Sequence, residues 1–204
     1  MTPGQRFARV VTTLVVRRPV LWKLFRGRLT RSFDRLAPEW ESTRVSPERL
    51  LPIGAALDAL PVQPERVLDL GTGSGRVARL AAERWSTSEV TGADVSKGMV
   101  REAQELASTD RERYVQADAA SLPFPDGAFD LVTLNNMIPF FDELARVTAP
   151  GGHVAIAYSL GPRTPIWVPL ARVRAELEQR GFVHVADFSV DPGVSLLARK
   201  APRS

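Results

Sequence analysis

From residue 66 onward, short apolar runs alternate with longer stretches in which apolar residues recur every three or four positions. Runs at 66–70, 89–94, 113–116, 129–134 and 153–158 predict five strands, and helical periodicity begins between them near Gly75, Lys97, Ile138 and Val168. This alternation predicts an α/β fold with a mostly parallel sheet and helices on both faces. The chain closes with an apolar run at 182–190, the turn Asp191-Pro192-Gly193 and a second run at 194–199. A connection this tight makes the last pair antiparallel. Upstream, Pro38, Pro47, Pro52, Pro61 and Pro64 cut the chain into short segments, with helical character between Pro47 and Leu60. We therefore divide the chain into an N-terminal helical extension, 1–46, and an α/β domain, 47–204.

The densest signal lies where the first strand meets the first helix, in Arg66-Val67-Leu68-Asp69-Leu70-Gly71-Thr72-Gly73-Ser74-Gly75. Glycines at alternate positions let a ligand approach the main chain closely, and Val77, Leu80 and Ala81 then begin a helical stripe. The dinucleotide fingerprint needs its third glycine at 76, where Arg76 stands. The loop thus favours another adenosine ligand over a nicotinamide cofactor.

Charge divides the chain in two. Residues 1–36 hold nine Lys or Arg against Asp34 alone, whereas the rest is mildly acidic; the whole carries +4. Val15, Val16, Val20, Leu21, Trp22, Leu24 and Phe25 interleave with Arg17, Arg18, Lys23, Arg26, Arg28 and Arg31. That composition suits an anionic membrane interface, and equally a cover helix over a site with its arginines solvated. Nucleic acid is not expected, because a stacking platform and a recognition motif are missing. The apolar stretch 10–16 is too short to span a membrane, contains two threonines and ends on arginines without a cleavage signal, so a cytoplasmic chain is expected. With no cysteine and two isolated histidines, thiol chemistry is excluded and no metal site is expected.

Ligands of open parallel sheets bind beyond the carboxyl ends of the strands, which directs attention to Asp69, Asp94, Asp118 and Asn135. Asp94 closes Gly92-Ala93-Asp94-Val95-Ser96, where a carboxylate can accept both hydroxyls of a ribose. Ser96 can cap the helix that Lys97 opens; Met99 can lie on an adenine ring or serve in the core. Asp118, in Gln116-Ala117-Asp118-Ala119-Ala120, can accept an adenine amine. Asn135 suits a cofactor contact, although it can equally form a turn, and either it or Asn136 can orient a polar acceptor. A base is sought among Asp118, His153 and Tyr158 without a convincing choice; His153 and His184 read best as structural.

Taken together, Val67–Gly75, Gly92–Ser96, Ala117-Asp118-Ala119, residues 122–132 and Arg146-Val147-Thr148-Ala149-Pro150-Gly151-Gly152 stand in an order that resembles the class I S-adenosylmethionine-dependent methyltransferases, in particular the branch acting on quinone precursors and other small molecules. The resemblance implies a Rossmann-like, seven-stranded sheet with an antiparallel last strand. It implies that Asp69 and the glycine loop, Gly71, Thr72, Gly73 and Gly75, meet the methionine part of S-adenosylmethionine, Asp94 the ribose and Asp118 the adenine, with Val95, Ser96, Met99 and Ala119 counted among the cofactor contacts. Residues 33–40 are similar to the family's N-terminal lid, with Trp40 as a cover for the cofactor or as plain packing. The segment 135–145 is shorter than is usual there and lacks a histidine. The expected activity is methyl transfer to a small, lipophilic acceptor. A methyltransferase-like binding or scaffold module without catalysis is the alternative, and a nicotinamide oxidoreductase is a third reading. The number of subunits is left open.

Overall fold

The computed structural model describes residues 1–44 and 46–202. Helices α1 (Pro3–Arg17), α2 (Trp22–Leu36), α3 (Trp40–Arg44) and α4 (Leu51–Asp58) precede the sheet. Then β1 (Arg66–Leu70), α5 (Arg76–Arg84), β2 (Glu89–Asp94), α6 (Lys97–Glu105), β3 (Glu112–Gln116), β4 (Phe129–Asn135), α7 (Phe141–Val147), β5 (Thr148–Tyr158), α8 (Leu170–Glu178), β6 (Phe182–Val190) and β7 (Gly193–Lys200) follow. The sheet order is β3-β2-β1-β4-β5-β7-β6; only β7 runs against its neighbours. This is the Rossmann-like class I arrangement. Because the order reverses at β1, whose neighbours are β2 and β4, a crevice opens at the carboxyl end of that strand.

Period-two alternation sorts the strands onto two cores. Leu68, Leu70, Val132, Leu134, Val154, Ile156 and Tyr158 face one side with α7 and α8, and Val11, Val15, Trp22 and Leu29 of α1 and α2 join them there. Val67, Val90, Leu131, Ala155 and Leu197 face the other side, under α4, α5 and α6. Both faces are covered, which explains why β1 is buried continuously from Val67 to Leu70 rather than at alternate positions.

Three boundaries differ from the sequence pattern. The helix expected near Ile138 starts at Phe141, after Pro139, and the one expected near Val168 starts at Leu170, after Pro169; a residue preceding proline is pushed away from helical dihedrals. β5 starts at Thr148 rather than His153, because Thr148 pairs with Phe129 and a register shift between Phe129 and Leu131 absorbs the Pro-Gly-Gly turn.

The N-terminal segment is docked along its length. Thr2 and Gln5 form a reciprocal capping box at the start of α1, with Pro3 in the first turn. Arg9 donates to the carbonyls of Pro162 and Pro165 at 2.7 and 3.1 Å, fixing α1 to the chain that leaves β5. Burying Val11, Val15, Trp22 and Leu29 contributes about 1.5–3 kcal/mol for each side chain. Among the described residues no helix is long and apolar enough to cross a membrane.

Candidate cofactor and acceptor site

The glycine turn is built by φ angles that ordinary side chains avoid. Gly71 has φ +71°, and a Cβ there would lie 2.6 Å from Met137 Sδ. Gly75, the left-handed residue that opens α5, has φ +85°, and a Cβ there would meet the Tyr114 hydroxyl at 2.7 Å. The turn is sewn to β2: the Gly71 and Thr72 amides donate to Ala93 O at 2.8 and 3.1 Å, and the Gly73 amide donates to Asp94 Oδ2 at 3.0 Å.

Asp69 lies beneath this turn, 2 % exposed, and accepts the Thr72 hydroxyl at 2.6 Å and the Thr133 hydroxyl at 2.8 Å. Burial pushes its pKa up to about 6 against the opposing pull of those two hydroxyls. Its carboxylate thereby fastens the glycine turn to β1 and β4. Asp94 closes β2 and accepts the Ser96 amide at 2.9 Å as well as Gly73. Burial raises its pKa, and the two amides oppose that rise. With one amide on each oxygen, Asp94 retains an acceptor position on both, as a ribose diol requires. Ser96 caps α6 through the Met99 amide at 3.1 Å, and Met99 itself is buried at 1 % exposure.

Beside Asp94 a cleft of about 510 Å³ runs under α2, lined by Val95, Gln116, Ala117 and Asp118 on the sheet side and by Arg26, Gly27, Thr30 and Arg31 on the helix side. Asp118 is held by helix and loop: Oδ1 accepts Trp22 Nε1 at 2.8 Å and the Ala120 amide at 3.0 Å, and Oδ2 accepts Arg26 Nη1 at 2.7 Å, which leaves one acceptor position on Oδ2. Ala119 is buried beside it. At the other end of the helix, Asp34 Oδ1 accepts the Ser96 hydroxyl at 2.6 Å and the Gly98 amide at 3.0 Å. Trp40 stacks edge-on against Phe33, and a side chain at Gly73 would meet its indole nitrogen at 3.7 Å. Glu41 pairs with Arg79 of α5.

The acceptor side lies at the ends of β4 and β5. Asn136, at φ +58°, accepts the Ser159 amide at 2.8 Å and donates to the Ser159 hydroxyl at 2.6 Å, and that hydroxyl donates to Asn135 at 3.3 Å. Both asparagines thus tie the two strand ends together. Around them, Trp22 meets Phe140 edge-on at 5.6 Å and Tyr158 meets Trp167 at 4.9 Å. Tyr158 is fully buried; burial raises its pKa, against the opposing pull of the Val168 main chain. His153 stands at the opposite end of β5, where burial and the nearby Arg199 lower its pKa, and His184 pairs with Asp187 on β6. Neither histidine is near the crevice.

The structure therefore gathers Asp69, Gly71, Thr72, Gly73, Gly75, Asp94, Val95, Ser96 and Asp118 around one crevice at the strand ends. Sequence reasoning missed the helix side: Trp22, Arg26, Thr30 and Asp34. Their spacing of four along α2 was a signal, whereas the composition of the segment fitted a cover helix and a membrane interface equally.

Residues 67–152 match the family described as "Methyltransferase domain". The fold is that of the class I S-adenosylmethionine-dependent methyltransferases, and residues 67–152 are similar to their domain. It is 39% identical over 141 residues to a demethylmenaquinone methyltransferase of Thermus thermophilus, a match covering 61% of this chain and 62% of the relative. It is 36% identical over 146 residues to a malonyl-(acyl-carrier protein) O-methyltransferase of Halorhodospira halophila, covering 66% and 48%. The matched region thus spans between about half and three-fifths of these relatives. A crystal structure of a SAM-dependent methyltransferase from Aquifex aeolicus superposes with a TM-score of 0.66 at 21% identity, covering 83% of this chain and 97% of that one.

Proposed function

We propose that the protein transfers the methyl group of S-adenosylmethionine to a small, lipophilic acceptor. The observation that carries this reading is the set of groups at the carboxyl ends of β1, β2 and β3. A main-chain cradle with positive φ is bonded to an acid with an open acceptor position on each oxygen, and the residue after that acid, Val95, lines a cleft of about 510 Å³. These residues fit the cofactor. Gly71 and Gly73 would accommodate its methionine part, Asp94 its ribose, and Val95, Ala117 and Asp118 its adenine.

The cofactor supplies an electrophilic methyl on a sulfonium. What remains for the protein is to align the acceptor behind that methyl and exclude water. The apolar walls Phe140, Trp167 and Trp22 suit the exclusion of water, and the relatives named for demethylmenaquinone and malonyl-(acyl-carrier protein) give two acceptor classes to try first. The test is incubation of purified protein with methyl-labelled S-adenosylmethionine and demethylated quinones, malonyl thioesters or lipid extracts. Label in an extracted product is the expected result; none in any acceptor, with the cofactor bound, supports the scaffold alternative instead.

We further propose that residues 1–46 act as a cover and 47–204 as the enzyme domain, and that the protein is cytoplasmic and touches anionic membranes through residues 1–36. Support comes from the outer surface of the α1–α2 hairpin, where Val10, Leu14, Val20 and Leu24 are exposed among Arg17, Arg18, Lys23 and Arg28. Flotation with anionic vesicles should recover the protein, and recovery should fall with salt. Equal recovery with neutral vesicles would refute this part.

A further inference from the structure

The carboxyl ends of β4 and β5 are joined by a polar relay whose sense is set by chemistry. A main-chain amide can only donate, so the Asn136 atom that takes the Ser159 amide at 2.8 Å is the carbonyl oxygen. Nδ2 of Asn136 therefore gives the second bond, to the Ser159 hydroxyl at 2.6 Å. That hydroxyl still has its own proton, which it donates to Asn135 Oδ1 at 3.3 Å. Asn136 reaches this position at φ +58°, the one positive φ outside glycine among the described residues. Asparagine tolerates that region better than most side chains, and such conformations gather at binding sites.

The relay holds Asn135 by its oxygen and leaves the nitrogen over. Nδ2 of Asn135 makes no hydrogen bond among the described residues, and in this half-buried side chain it is not sealed from solvent. Leu134 is registered with Leu70, so Asn135 stands one strand spacing, about 4.8 Å, from Gly71. Met137 packs against the same glycine. In the strand order β2-β1-β4, Asp94 ends β2 and the main-chain cradle follows β1, which makes β4 the next strand beyond the cofactor. Two unspent N–H donors thus stand beside the end of the cradle.

We propose that Asn135 binds the methyl acceptor, donating from Nδ2 to an oxygen of it, and that Ser159 is the positioning residue that keeps the nitrogen end of the amide free for this bond. The acceptor class is then one with a phenol, enol or carbonyl oxygen beside the methylated atom. An arylamine is disfavoured, because it would bring N–H against N–H. This inference rests on the reading of the crevice as a methyltransferase site.

The experiment uses full-length protein loaded with S-adenosylhomocysteine and two probes of one shape, 1-naphthol and 1-naphthylamine. Affinities are measured for wild type, Asn135→Asp, Asn135→Ala and Ser159→Ala, with the unfolding midpoint of each, and the Asn135 side-chain amide resonances are followed by NMR. Wild type should bind 1-naphthol about tenfold more tightly than 1-naphthylamine, roughly the worth of one hydrogen bond, and the resonances absent from both Asn135 variants should shift with 1-naphthol. Both Asn135 variants should lose the preference while binding S-adenosylhomocysteine within about threefold of wild type. Ser159→Ala should reduce the preference to about threefold or less, since its amide is free to turn over; a purely structural loss would weaken both probes alike and overturn the role of Ser159. Equal binding of the two probes by wild type, binding of neither, or resonances that do not move would overturn the inference and leave the cofactor reading intact. Loss of S-adenosylhomocysteine by the folded Asn135 variants would assign the amide to the cofactor instead, and a wild type that does not bind S-adenosylhomocysteine would overturn the cofactor reading and this inference with it.

Discussion

The two sides of the proposed cofactor site are made in different ways. The sheet wall is a buried backbone device in which Asp69, Asp94 and the glycine turn are linked by hydrogen bonds among residues at the ends of adjacent strands. The helix wall is a set of side chains on α2 whose partners lie far along the chain, with Trp22 reaching Asp118 across 96 positions and Asp34 reaching Ser96 across 62. The first wall is dictated by dihedral angles and fails if they are lost. The second is held by individual polar contacts, several of them solvent-accessible, and can loosen without unfolding the domain.

The largest effect should follow from breaking the sheet wall at its backbone. Gly71→Val forces a branched side chain to φ +71° and into Met137. Strain and overpacking together should cost about 4 kcal/mol, read as a drop in the denaturant midpoint, and cofactor binding should be lost.

Next is the pH response of Asp69. Its carboxyl stays protonated in the fold up to about 6, against an ordinary value near 4 when unfolded. Over that window the folded state binds more protons, so the stability contributed below pH 4 is lost as pH rises through 6. The loss attributable to Asp69 is about 3 kcal/mol. Asp69→Asn should flatten that part of the stability–pH curve; a curve parallel to wild type between pH 4 and 7 would contradict the burial argument.

The helix wall should give smaller numbers. Trp22→Phe keeps the ring against Phe140 but removes the indole donor to Asp118, for a loss of about 1–2 kcal/mol and faster cleavage of residues 1–36 by protease. Arg26→Gln removes an ion pair whose arginine is half exposed. It should change stability by about 0.5 kcal/mol or less, and the change should shrink further in salt. Were Arg26→Gln to cost more than Gly71→Val, the contrast between the two walls would be wrong.

The same contrast explains what could be read in advance. The strands, the antiparallel closing pair and the glycine turn were legible because each is set by residues adjacent in sequence: a buried run, a turn dipeptide, a left-handed position. Asp94 and Asp118 were legible as strand-end acids. That Asp118 would be clasped by Trp22 and Arg26 was not, because no local pattern tells which face of an amphipathic helix will meet which loop. The basic, apolar composition of 1–36 fitted two readings; α2 takes part in covering the cleft with Trp22, Arg26 and Asp34, while Val20 and Leu24 stay exposed. The start of β5 was misjudged because the Pro-Gly-Gly turn reads as an end to pairing, yet Thr148 still pairs with Phe129 through a register shift.

The central claim is that the strand ends hold S-adenosylmethionine through Asp94. Its most direct test is calorimetric titration of that cofactor into wild type and Asp94→Ala, with NADH as a control and unfolding midpoints to confirm the fold. The account predicts micromolar binding by wild type, at least tenfold weaker binding by Asp94→Ala and none of NADH; a wild-type protein that ignores the cofactor, or a variant that binds it equally well, would contradict it.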